Sequence, residues 1–332
     1  MRRYMVVFVA LLLLVALAAG GCGSKKKSSS TSGNLTADQI SAKGLDATKN
    51  LKSAAFDMNM ALNIKADTAK MSSQSTAAVL AKPITLTGSG NISNEQPQKL
   101  DLTLNIGAGG MTINAGMKLD GQKAWLDVMD TWYELPATMM SAITGGASPA
   151  AGATPGNLTS VLGTLGVDPT SWISGHTLLG TESVGGTNCY HLSDTVDMAA
   201  LSQSLGTLMQ SAGSLGSVLG TSTSSATSQQ ELKAAQDAVK QLQTILKDVK
   251  LEAWYDTSTY DLHKLTAQAT MDFAAVPDAA KQGLQSGSFS FTLDLSKFGE
   301  SVTVTPPASA KPFSDLMSGL GSLTGGSTTT TP

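Results

Sequence analysis

The chain has 332 residues, 22 basic and 25 acidic side chains for a formal charge of −3, and an aromatic share of only 5%. That length holds one large or two small domains, and with no basic run beyond Lys25-Lys26-Lys27 the charge balance argues against nucleic acid as a partner. Cys22 and Cys189 are the only cysteines, so stability has to come from packing rather than from a disulfide framework.

Residues 1–21 read as a secretory signal, in which Arg2 and Arg3 precede an apolar run from Met5 to Ala19 that is short for a membrane span. Ala19-Gly20-Gly21 ahead of Cys22 resembles a bacterial lipoprotein cleavage site, although Ala19 stands where leucine is commoner. The resemblance implies diacylglycerol on the Cys22 sulfur, a lipid anchor on the extracytoplasmic face of the bacterial cell membrane. An ordinary secretory peptide ending near Ala19 is the alternative. Residues 22–34 read as a flexible tether: between Cys22 and Asn34 they are all Lys, Ser, Thr and Gly, a composition that buries too little to order itself. Without Arg2 and Arg3 the formal charge becomes −5.

One domain is expected over residues 35–305. Thr36 and Gln39 make a capping box for a first helix running to about Lys52, with Leu35 and Ile40 placed as a hydrophobic staple. Phe56, Met58, Met60, Leu62 and Ile64 then alternate with polar residues as a long strand, and residues 67–82 form a polar connection. Ile84, Leu86 and Ile92 carry a second strand, with Gly88 and Gly90 on its inner register. Leu100, Leu102, Leu104 and Ile106, then Met111, Ile113, Ala115, Met117 and Leu119, continue the period of two. Asp120-Gly121 marks a hairpin into Ala124, Leu126 and Val128, with Trp125 pointing the other way. The meander ends at Trp132 to Pro136.

Residues 145–157 are rich in Gly, Ala, Ser and Pro and read as loop, followed by short helices at 158–165 and after Asp168-Pro169. Gly185-Gly186 joins a second hairpin, Thr195 to Met209 reads as helix, and 211–227 reads as loop. Ser228 with Glu231 opens a helix whose stripe is Leu232, Ala235, Val239, Leu242, Leu246 and Val249. Three more strands follow, ending with Phe289, Phe291, Leu293 and Leu295. Residues 306–332 drift into Gly, Ser and Thr and are expected to be a disordered tail.

No catalytic signature is present. His176, His191 and His263 lack metal-pair spacing, no serine is flanked by glycine two positions either side, and Gly185-Gly186 precedes no helix that would bind phosphate. The reading is therefore of a protein that is not an enzyme and takes no cofactor or metal. His191 and His263 read as hydrogen-bonded or solvent-facing, and Cys189 as a small buried hydrophobe rather than a reactive thiol. About eight strands with one apolar face need a cover, and some four helices are available to supply it. Strand parity puts Met58, Met60, Leu62, Leu102, Leu104, Ile113, Met117, Leu126, Met271, Phe289, Phe291 and Leu293 on that face. Small inner residues, Gly88, Gly90, Ala115, Ala267 and Ala269, with pliable methionines, are what a ligand cavity requires, whereas alternation by itself fits a solid core equally well.

The order of elements is itself distinctive: Gly121-x-x-x-Trp125-Leu126 then Trp132, Glu182-x-Val184-Gly185-Gly186 then Tyr190-His191-Leu192, and Trp254-Tyr255-Asp256 before Leu262-x-Lys264-Leu265. It resembles the LppX/LprG-type lipoproteins of actinobacteria, relatives of the LolA lipoprotein carrier, over roughly residues 35–300. The inserts at 145–157 and 211–227 and the long tail depart from that pattern. The resemblance implies an α+β fold, an incomplete antiparallel β-barrel whose apolar concave face is closed by helices around the acyl chains of a lipid or glycolipid, loaded or unloaded by a protein donor or acceptor. The other reading is a surface or sensor lipoprotein with a filled core that binds a protein partner.

Overall fold

The computed structural model describes residues 35–71, 74–137, 172–201, 244–274, 276 and 283–324. Expectations that fall elsewhere, namely the signal, Cys22 and the tether, the inserts, the helices at 158–165 and after Asp168, and most of the helix from Ser228, lie outside the described residues.

Helix α1 (Ala37–Lys49) starts at the expected capping box: Thr36 accepts from the Gln39 backbone N–H while the Gln39 side chain accepts from the Thr36 N–H. Strand β1 (Ser53–Ala66) leads through a 3₁₀ turn and helix α2 (Gln74–Leu80) to β2 (Ile84–Ser93), β3 (Lys99–Ala108), β4 (Met111–Asp120), β5 (Lys123–Val128) and β6 (Thr131–Glu134). Then come β7 (Ile173–Val184), β8 (Thr187–Val196), β9 (Leu246–Asp256), β10 (Leu262–Asp272), β11 (Leu284–Ser296), β12 (Lys311–Pro312) and helix α3 (Phe313–Thr324).

These strands make one mixed sheet in the order β12-β6-β5-β4-β3-β2-β1-β11-β10-β9-β8-β7. All neighbours are antiparallel except β12 on β6. Among the described residues β7 and β12 pair on one side only, and the sheet is not closed. Register carries the period-two pattern straight across it: Ala267, Phe291, Met60, Leu86, Ile106 and Ile113 are successive cross-strand neighbours on one face. We call that the inner face.

Coverage of the inner face is uneven. The large core lies under β8 to β1, where Ile40 of α1 is fully buried against Leu192, Leu251, Tyr255, Leu265, Phe289 and Phe291, joined by Trp172, Leu201, Ile245 and Val276. A small second cluster of Leu119, Ala124 and Leu135, with Leu100, Leu126 and Phe313 against it, lies beside the β6 edge. Among the described residues the helices are few, and their reach is limited: α1 packs on β7, β8 and β10, α2 on β1, and α3 on β6 and β12.

Four expectations are corrected. Leu246 and Val249 belong to β9, not to a helix; the two described residues just before it, 244–245, are helical. Val249, Leu251, Ala253 and Tyr255 also alternate, and pairing of that alternation with β10 wins over the helical spacing of the same residues. Thr195 and Val196 end β8, leaving helix only at 198–201 within the described part of that segment. The β4–β5 turn is formed by Gly121 and Gln122, one residue later than Asp120-Gly121, with Gly121 at φ +63°. Beyond residue 306 the chain carries β12 and α3, because Phe313, Leu316 and Met317 make an apolar stripe within the Gly/Ser background.

Candidate functional site

The twelve side chains grouped by parity do share the inner face, but their surroundings differ. Met60, Leu62, Met271, Phe289 and Phe291 are buried in the large core, and Met58 and Leu293 are half-buried against it. Leu126 leans on the small cluster at the other end. Between them Leu102, Leu104 and Met117 are half-buried, and Ile113 is 39% exposed. Register joins these residues to Ala115, Val128 and Ile106. The result is an apolar strip along β3 and β4 that lies between the two clusters and, among the described residues, is left without a cover.

The small inner residues do not leave the space their size suggests. A Cβ at Gly88 would meet Met58 Cε and Leu104 Cδ2 at 2.6 and 2.8 Å, and one at Gly90 would meet the Asp101 carbonyl and the Phe56 ring. Ala267 and Ala269 are buried beside Phe291 and Phe289. Neighbouring side chains have taken the room, as close packing requires. A depression of about 310 Å³ lies on the opposite, polar face, lined by Asp57, Asn59, Thr87, Ser89, Asn105 and Asp294 across β11, β1, β2 and β3, together with Met58 and Gly88.

The histidines each face a carboxylate. His176 Nδ1 is 2.6 Å from Asp194 Oδ1 on the inner face. Burial alone would depress its pKa, but the hydrogen bond to Asp194 and the charges of Asp194 and Asp38 outweigh that and hold it above the ordinary value. On the polar face Glu182 accepts from Trp254 Nε1 at 3.1 Å and lies 2.9 Å from His191 Nδ1, and those two hydrogen bonds lower its pKa. The His191 ring stacks on Trp254 with centroids 4.2 Å apart. His263 lies 3.8 Å from Asp256 and against the Phe298 ring. Cys189 is buried, and desolvation pushes its thiol up to about 11, the wrong direction for a nucleophile at neutral pH. Among the described residues no three His, Cys, Asp or Glu side chains converge to hold a metal ion, and no helix is long and apolar enough to cross a membrane.

Sequence reasoning missed three contributors. Trp125 does point away from the inner face, opposite Lys118, yet it is buried there. Tyr255 receives α1 at Gly44, where a Cβ would run into its ring. Phe313 closes the small cluster, and its signal was the apolar stripe of α3.

Residues 36–154 match a family of unknown function (DUF6612). That is about a third of the chain. No curated protein matches it. Among solved structures the chain is similar to the lipoprotein LppX of Mycobacterium tuberculosis, with 14% identity, 80% of this chain and 96% of that one covered, and a TM-score of 0.32. It is also similar to LprF of Mycobacterium bovis, at 11% identity, 82% and 97% coverage and a TM-score of 0.33. A DUF1329 family protein of Desulfovibrio piger matches at 10% identity, 81% and 95% coverage and a TM-score of 0.23. LppX is a lipoprotein of the kind the element order resembles. Likeness at this level assigns neither a ligand nor a mechanism.

Proposed function

We propose that the chain is a non-catalytic lipoprotein, anchored through acylated Cys22 on the outer side of the cell membrane, that binds the acyl chains of a lipid or glycolipid on its inner face and hands them to a partner. The observation that carries this reading is the open apolar strip of Leu102, Leu104, Ile113 and Met117 between two covered clusters. Water contacts that strip in the free protein, and an acyl chain laid along it removes apolar surface on both sides. Burying about 10 methylenes is worth roughly 8 kcal/mol gross, before the costs of ordering the chain. The tether and the curling of the open sheet into a half-barrel around the ligand belong to the same proposal.

A second reading, a partner-binding lipoprotein with a solid core, is favoured by one observation: the positions of Gly88 and Gly90 are already filled by Met58, Leu104 and Phe56. Ala115→Phe separates the two. Ala115 is half-buried on the strip between Leu104 and Val128, so a phenyl ring there occupies the acyl site without entering the large core. The expected outcome is at least about tenfold weaker uptake of a fluorescent fatty-acid probe, with unfolding midpoint little changed. Mass spectrometry of organic extracts from the purified, non-acylated protein supplies the complementary test. Absence of lipid together with absence of probe uptake by the unaltered chain sinks the carrier reading.

A further inference from the structure

The edge strand β7 is clasped on both faces, and the two clasps differ in what a proton does to them. On the polar face Glu182 of β7 takes one hydrogen bond from Trp254 Nε1 of β9 and faces His191 Nδ1 of β8. The indole N–H donates at every pH, and a neutral imidazole still has one N–H to give, so this clasp does not need a charged histidine. Glu252 lies 3.6 Å from His191 Nε2, and Lys264 of β10 sits over the Trp254 ring, completing the charged groups around it.

On the inner face His176 of β7 meets Asp194 of β8, whose side chain is 6% exposed. Asp38, in the first turn of α1, adds a second negative charge, and Tyr255 of β9 lies in the field of Asp194. No cation other than His176 is paired with Asp194 among the described residues. When His176 loses its proton, the neutral ring can still give an Nδ1–H to Asp194, but the positive charge that offset this nearly buried carboxylate and the Asp38 charge beside it is gone. The pair sits in a short regular run, Gly175 to Leu178, flanked by two interruptions of the β7–β8 register, one between Ile173 and Gly175 and one between Leu178 and Gly180. Among the described residues β7 has no neighbour on its other side, and α1 packs on it.

We propose that His176 and Asp194 form a proton-operated latch: protonated, it holds the β7 edge and the start of α1 on the sheet; deprotonated, it lets both lift from the inner face, with the Glu182 clasp as the fixed end. That the surface so uncovered receives a lipid rests on the reading above; the latch itself does not. The raised His176 pKa gives the direction, since a histidine held above its ordinary value of 6.5 contributes fully below that pH and loses its contribution as the pH rises through the folded value.

Hydrogen exchange on the full ligand-free chain, corrected for the intrinsic pH dependence of exchange, tests it. Protection at residues 175–178 and in the first turn of α1 is expected to fall above the ordinary histidine range by up to about tenfold per pH unit, the limit for one proton, while β1 to β3 stay level. H176Q should remove the dependence, D38N should move its midpoint to lower pH, and H191Q should leave it in place. Asp38 is exposed, so D38N gives the answer even where H176Q fails to fold. Level protection of β7 across pH, or dependence that survives H176Q or is lost in H191Q alone, overturns the latch. A fluorescent acyl probe added at each pH separates the two claims: pH-dependent exchange without uptake upholds the latch and sinks the lipid reading, and uptake without pH-dependent exchange does the reverse.

Discussion

Asp127 shows what a single unpaired oxygen costs this sheet. Its Oδ1 is shut off from solvent with no hydrogen-bond partner, at the end of β5 beside the Met129–Asp130 turn. Gly116, its cross-strand neighbour, has no side chain because the Trp132 ring and Asp127 itself crowd that point. Desolvation, then the charge of Asp130, raise the Asp127 pKa, while the Thr131 backbone N–H pulls the other way. A carboxylate raised in the folded state binds more protons folded than unfolded, so stability falls as pH rises through the window from the ordinary 3.8 upward, and the penalty is complete above it. Asp127→Asn is therefore expected to stabilise the protein at pH 7 by up to about 1 kcal/mol and to flatten this part of the pH profile. Urea denaturation at pH 4 and pH 7 reads both; equal destabilisation at the two pH values would mean that the charge is held by a partner.

At the scale of elements, α1 is the piece that most defines the large core. It buries Ile40 completely, brings Gly44 against the Tyr255 ring, and ties Lys43 to Tyr260 through a 3.1 Å hydrogen bond. Gly44→Ala improves helix propensity by about 1 kcal/mol, yet its methyl has to displace a buried ring. The expected net result is destabilisation by about 1 to 3 kcal/mol, with the near-ultraviolet tyrosine signal altered; a stabilised variant would show that α1 rides clear of β9. The strands and the capping box were legible in the sequence because each depends on a local pattern, alternation in one case and Thr36 with Gln39 in the other. The start of β9 was not, since Leu246 and Val249 satisfy helical and strand spacing at once and only the β10 partner decides. Parity likewise gave the face of Met60 and Ile113 correctly but not their burial, 1% against 39%, because which part of a face is covered depends on α1 and α3 coming from elsewhere in the chain.

At the scale of the whole molecule the described residues form one sheet with two unequal clusters on the same face, and their separation is what leaves the strip between them uncovered among those residues. The small cluster is closed from the C-terminal side: Lys99 Nζ donates to the Val302 carbonyl, Val304 is buried, β12 pairs with β6, and Phe313 covers Leu119, Ala124 and Leu135. Truncation after Ala310 removes β12, α3 and Phe313 while sparing Val302 and Val304. It should cost about 1 to 2 kcal/mol, the worth of one half-buried aromatic and its shielding, or a few degrees in Tm. Hydrogen exchange should quicken in β5 and β6, where the cover is lost, and stay unchanged in β1, β10 and β11, whose side chains pack among themselves. Loosening of β10 and β11 to the same degree would mean that the two clusters stand or fall as one core, continuous across β3 and β4, and the strip proposed for an acyl chain would then be interior surface rather than a vacant face.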